Sequence, residues 1–146
     1  MGKKSSERLA TVLKLAKMRQ QLAAQVLAEN IRNKTSHDEQ LQQLQSFKDD
    51  YLDKFAQGVN LTSSSLMNYQ TFYGSLEKAV EMQAQRTVLS QNQLEQARKQ
   101  WQSLYAREKN MESLIDKKIK IEEVEEEKKI QAEQDDRFQR KVFGDA

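Results

Sequence analysis

Alternate steps of three and four residues from Leu66 meet Leu66, Tyr69, Tyr73, Leu76, Val80, Gln83, Thr87, Ser90, Leu94, Ala97, Trp101, Leu104, Glu108, Met111 and Ile115. Eleven of these fifteen positions are apolar, a heptad a/d seam of about seven repeats that calls for a partner helix. The segment before it is less regular. Leu13, Leu27, Ile31, Leu41, Leu44, Tyr51 and Phe55 form one possible stripe, with Leu9, Val12, Ala16, Ala23, Val26 and Phe47 beside it. Residues 32–40 hold almost nothing apolar. The turn-like cluster of the interior is Gly58-Val-Asn-Leu-Thr-Ser-Ser-Ser65. The pattern predicts one helix over about 6–57, capped by Ser5 or Ser6 and stopped at Gly58, a turn at 58–65, and a second helix over about 66–140 capped by Ser63, Ser64 or Ser65.

The polar gaps set the topology. If the chain folds back at 58–65, facing residues have numbers that total about 122, so the gap at 32–40 lies opposite Gln83, Thr87 and Ser90. Polar then faces polar, and apolar faces apolar on both sides. The expected fold is all-α, a single coiled-coil domain over 1–146 in which two long helices form an antiparallel hairpin. Residues 118–146 overhang as a helical arm in which Ile119, Ile121, Val124, Ile130, Phe138, Val142 and Phe143 stand among charges.

Composition supports that picture and removes most chemistry. There is no proline and no cysteine, and the glycines are Gly2, Gly58, Gly74 and Gly144. Helix breakers are therefore scarce, and disulfides and thiolate metal sites are excluded. His37, the single histidine, sits in a polar stretch and is expected at the surface. The acidic run Glu122–Glu127 fans around a helix and cannot converge on one ion. Trp101 lies on the seam and is expected in the core. No phosphate loop or catalytic constellation is present, so the expected protein is not an enzyme, takes no cofactor and has no small-molecule substrate. The basic start lacks a following apolar stretch, which predicts no secretory signal, and no run is long enough to span a bilayer. A cytoplasmic protein is expected.

The net charge of +2 hides an asymmetry, because residues 1–34 carry eight Lys/Arg against two Glu, while 122–136 carry eight acids against two lysines. Nucleic-acid binding is set aside. Lys3, Lys4, Arg8, Lys14, Lys17 and Arg19 alternate with apolar residues at helical spacing, and the acidic arm repels phosphate. Where the second helix opens, three aromatics crowd into five residues: Tyr69, Phe72 and Tyr73. Phe72, Leu76, Ala79 and Gln83 run beside the seam, opposite Gln40, Leu44, Phe47 and Tyr51. An aromatic flanking a two-helix seam stays partly exposed and marks either a binding surface or a locally thick core.

The stretch Asn68-Tyr69-Gln70-Thr71-Phe72, followed by Leu76, Glu77 and Ala79, resembles the opening of the second helix in the flagellar FliJ family. The resemblance extends to length and two-helix layout, and it is sharp from about Met67 to Val80. It implies a monomeric coiled-coil stalk similar to the γ-subunit of rotary ATPases, at the inner-membrane base of the flagellum. Its ends would enter the pore of the hexameric export ATPase, FliI, and promote its assembly. It would also bind the cytoplasmic domain of the export gate protein FlhA and escort export chaperones. By the same resemblance the gate stripe falls on Gln40, Leu44, Phe47, Tyr51, Phe72, Leu76, Ala79 and Gln83. The ATPase contact falls on Arg8, Leu9, Val12, Leu13, Ile119, Ile130 and Phe138. Gly74 departs from a tidy stalk, loosening its helix by up to ~1 kcal/mol relative to alanine. A self-associating scaffold and a virulence secretion counterpart are the alternatives.

Overall fold

Without proline, nothing interrupts helical hydrogen bonding from the serines at the start to the glycine at position 58. The computed structural model, which describes residues 5–58 and 62–144, accordingly contains α1 (Ser5–Gln57) and α2 (Ser63–Phe143), with no strand among the described residues. Helix α1 stops where expected. The Gly58 amide donates to the Phe55 carbonyl at 3.1 Å, so the last turn tightens without any left-handed residue. Helix α2 starts three residues earlier than predicted because Thr62, not one of the serines, is its cap. The Thr62 hydroxyl accepts from the Ser65 amide at 3.1 Å and its carbonyl from Leu66 at 3.0 Å. Residues 59–61 of the expected turn lie outside the described residues. So does whatever precedes Ser5, which is itself already helical, as is Ser6.

Two compact units divide the chain: unit 1 comprises 1–21 with 103–146, and unit 2 comprises 22–102. In unit 2 the helices run antiparallel, for Phe47 meets Phe72, Tyr51 meets Tyr69 and His37 meets Gln83. The seam expected for α2 is buried or half-buried here at every position from Tyr69 to Trp101, while Leu66 is exposed. On α1 the inward positions are Ala23, Leu27, Asn30, Lys34, His37, Leu41, Leu44, Lys48, Tyr51 and Phe55, an unbroken alternation of fours and threes. Ile31 therefore leaves the expected stripe and Ala23 joins it, while Val26 and Phe47 stay beside it, exposed. A position's place in the repeat decides burial, and apolar character alone does not.

His37 is the clearest correction. It belongs to the seam and not to the free surface. The Gln83 amide nitrogen donates to the His37 carbonyl at 3.1 Å and lies 3.1 Å from its Nδ1, while the Thr87 hydroxyl donates to the Gln83 carbonyl at 2.9 Å. Gln83 is only 4 % exposed, so these bonds satisfy an amide that would otherwise be stranded. Polar does face polar, as the two gaps predicted.

In unit 1 the inward positions are Leu9, Leu13, Ala16 and Gln20 against Leu104, Glu108, Met111, Ile115, Lys118 and Glu122. The Ser6 amide and hydroxyl both donate to the Glu122 carboxylate, at 3.1 and 2.6 Å. Side chains lean toward the N-terminus of their own helix, and here the two helices lean in opposite directions. Glu122 thus reaches back to Ser6 from beyond the residue that numbering alone places opposite. The pairing consequently extends to Glu122, and the arm begins after it, not at residue 118. Every described residue from 123 to 144 is exposed.

Two stability effects follow. A methyl group added at Gly74 meets nothing within 4 Å. Gly74→Ala should therefore raise stability by about 1 kcal/mol, read as a higher urea midpoint at unchanged slope. Glu122→Ala, which removes the acceptor at the start of α1, should lower stability by about 1 kcal/mol in the same titration.

Candidate functional site

Among the described residues no group of His, Cys, Asp and Glu is placed to hold a metal ion. No helix there is long and apolar enough to cross a membrane. What the molecule offers is surface, and the aromatic residues of unit 2 make the most structured part of it.

That surface is built from the last turns of α1 and the first turns of α2. Phe55 stacks on Tyr69 with ring centroids 3.4 Å apart, and Tyr51 stacks on the same ring at 5.4 Å. Tyr69 also stacks on Tyr73 at 5.8 Å. Burial among these rings, then the neighbouring Tyr73 and Tyr51 hydroxyls, push the Tyr69 phenol above its ordinary value. From the stack the cluster steps outward. Tyr51 tilts against Phe72 at 4.7 Å, and Phe72 meets Phe47 edge to face at 6.5 Å. Aromatic pairs of this kind contribute about 0.5–1.5 kcal/mol each beyond their buried area. Phe72 nevertheless remains 42 % exposed and Phe47 52 %. On the other side of the seam the Lys48 ammonium lies over Tyr73, 5.5 Å from its centroid. Lys48 is a seam residue that the apolar pattern could not reveal.

The expected gate stripe divides into two sets. Phe47, Tyr51 and Phe72 are in ring contact, with Gln40 exposed and Leu44 and Ala79 half-buried beside the seam. Leu76, at 8 % exposure, and Gln83 lie inside the seam, so their side chains support the surface from beneath and present little to a partner. Of the remaining motif residues, Asn68, Gln70 and Glu77 are exposed and Tyr69 is half-buried. Met67, which opens that stretch, is 67 % exposed beside them, although a lone methionine off the seam carries no periodic signal.

The residues expected at an ATPase ring all belong to unit 1. Arg8, Val12, Ile119, Ile130 and Phe138 are exposed, whereas Leu9 and Leu13 are half-buried in the seam. Beyond Glu122 the spacing that defines the seam falls on Glu125, Lys129, Ala132, Asp136 and Gln139. The arm therefore does not extend the coiled coil to a further helix of the same kind. Its apolar residues, Val124, Ile130, Phe138, Val142 and Phe143, are all in solvent. Asp136 and Arg140 brace it locally with an i,i+4 ion pair at 3.2 Å.

No curated protein matches the chain. The family described as "Flagellar FliJ protein" matches residues 5–145, which takes in both helices and the connection between them. A match of that extent, over a proline-free helical pair with an aromatic opening to its second helix, means that the chain belongs to the flagellar FliJ family and is a component of flagellar protein export.

Proposed function

We propose that this chain is the non-enzymatic stalk of the export machinery. It binds the hexameric export ATPase FliI through unit 1 and its arm, promoting assembly of the ring. Through the aromatic surface of unit 2 it engages the cytoplasmic domain of the gate protein FlhA. It works as a monomer on the cytoplasmic side of the inner membrane at the flagellar base, and it also carries export chaperones. The coupling is mechanical and allosteric, with no bond made or broken.

The observation that carries this reading is the Phe47–Phe72 pair. Two large aromatics touch each other yet keep about half their surface in water. Burying the exposed part against a partner stabilises a complex by ~25 cal/mol per Å² removed from water. Fixed rings also lose little freedom on binding, which is why aromatics dominate binding energetics. The exposed arm supports the second half of the reading. A lone helix of its length gains little from propensity alone, so its apolar residues have a use only against another molecule.

Phe47→Ala with Phe72→Ala should leave the helical circular dichroism intact and weaken binding to the FlhA cytoplasmic domain about tenfold or more. Undiminished affinity in calorimetry would remove the aromatic surface from the gate contact. Leu76→Ala is expected to act differently, lowering stability by about 2 kcal/mol or more because it opens a cavity in the seam. Deleting residues 123–146 should abolish stimulation of the ATPase while gate binding persists, and a truncated chain that still stimulates hydrolysis would refute the role of the arm. Light scattering should give the mass of a monomer, and a dimer would favour the scaffold reading.

A further inference from the structure

The two flanks of the unit 1 seam differ: one mixes acids with lysines, while the other carries charge of one sign. On one flank Lys17 meets Glu112 at 3.9 Å, and a groove lined by Ile119, Glu122, Glu123 and Glu126 continues the acidic side beyond it. At about 100° per residue the other flank receives Arg8, Val12, Leu15 and Arg19 from α1, and Arg107 and Leu114 from α2. All six are exposed. Val12, Leu15 and Leu114 are among the large apolar side chains left in solvent. None of the three arginines forms an ion pair with a described residue. The flank positions between and beyond them are Ser103, Asn110, Lys117 and Ile121, so no carboxylate interrupts the row. A shallow cleft beside Arg107, Met111 and Leu114 gives the flank relief.

From this arrangement we infer that the basic flank of unit 1 is a docking surface for an acidic amphipathic helix of a partner protein. An apolar stripe on that helix would cover Val12, Leu15 and Leu114, and Asp or Glu on either side of the stripe would meet the arginines. Charge complementarity selects this occupant. Arginines with no ion pair among the described residues lose no such partner on binding, and guanidinium–carboxylate pairs at the rim of an apolar contact add charge-assisted hydrogen bonds and select an acidic partner. A flat anionic bilayer fits less well, because this flank carries no aromatic to seat at a lipid interface and its relief is a cleft. The surface shares Arg8 and Val12 with the ATPase contact proposed above, and it rests on the stalk reading only for the identity of the partner.

The test uses the full chain and two synthetic amphipathic helices about three heptads long, identical in their leucine stripe and carrying Glu or Lys beside it. Fluorescence anisotropy should show the Glu peptide bound about tenfold or more tightly than the Lys peptide, with affinity falling as salt rises. Arg19→Glu with Arg107→Glu should weaken the Glu peptide about tenfold, as should Val12→Ser with Leu15→Ser, at unchanged helicity. Asp116→Lys on the opposite flank should leave it bound.

Equal binding of the two peptides, or full affinity in the Arg19→Glu/Arg107→Glu chain, overturns the inference. So does dimerisation of the wild-type chain that this double variant abolishes, which would make the occupant a second copy. Co-sedimentation with phosphatidylglycerol vesicles without peptide binding would assign the flank to lipid and likewise overturn it. Repeating the peptide variants against the hexameric export ATPase separates the two proposals. Peptide binding without ATPase binding removes the stalk reading and leaves the surface standing, whereas ATPase binding that survives charge reversal does the opposite.

Discussion

Everything in this molecule depends on the mutual burial of two heptad stripes. A single helix of fifty or eighty residues cannot bury an apolar stripe against itself, and helix propensity alone gives it little stability in water. The antiparallel return supplies each stripe with the other. Leu76, Leu94, Ala97 and Ile115 become buried only because α1 passes over them, and Ala16 only because α2 does. The seam is narrow, and no side chain in it is completely sealed from solvent. Stability is spread thinly along many positions, with no concentrated core. Local features such as the Thr62 cap, the Glu122 carboxylate at the start of α1 and the aromatic stack beside the turn therefore matter more than they would in a globule.

The polar layer in unit 2 shows how such a seam tolerates hydrophilic residues. Gln83 and Ser90 are more buried than most of the leucines around them. Burying an amide without partners would cost about 1–3 kcal/mol, and the His37 carbonyl removes that cost by accepting from Gln83. The layer works only in the observed alignment, since one heptad of displacement would set Gln83 against Leu44 or Asn30. Lys34 is half-buried nearby and turns its ammonium to Asp38 on its own helix, so its stem fills the seam while its charge stays paired near water.

How far the sequence could be read follows from the same geometry. Helix α2 announced itself because eleven of its fifteen seam positions are apolar, and the heptad could be counted without ambiguity. Helix α1 was legible in part, since Leu13, Leu27, Leu41, Leu44, Tyr51 and Phe55 of its expected stripe face inward and Ile31 does not. Its inward row contains Gln20, Asn30, Lys34, His37 and Lys48, whose side chains give no hydrophobic signal, while Val26, Ile31 and Phe47 give that signal from outside the seam. Counting hydrophobicity alone admits Ile31 and misses the polar members of the row. One who imposes the alternation of threes and fours from Leu9 finds all of them. The aromatic surface was visible as crowding of Tyr69, Phe72 and Tyr73, yet its division into exposed rings and supporting Leu76 and Gln83 was not. Which side of a helix faces its partner changes over a single residue, and only the packed pair settles it. The extent of the arm was misjudged by a turn because residue numbering ignores the lean of side chains.

A two-helix seam also leaves both of its flanks to solvent for its whole length, so off-seam positions carry almost no folding constraint. What occupies them is then free to be set by partners, and the occupants differ by unit. Unit 2 places aromatics on one flank, where rings already fixed by Tyr51 and Tyr69 have little freedom left to lose. Unit 1 places arginines and aliphatics on one flank, whereas the other mixes carboxylates with lysines, Glu112 pairing with both Lys17 and Lys109. Like charges along the arginine flank repel one another, and a surface of opposite sign offsets that repulsion. On the reading proposed above, the flank of Arg8, Arg19 and Arg107 and the glutamates of the arm are halves of contacts completed by other molecules. In a protein with so little interior, most of what distinguishes one such hairpin from another is written on its flanks.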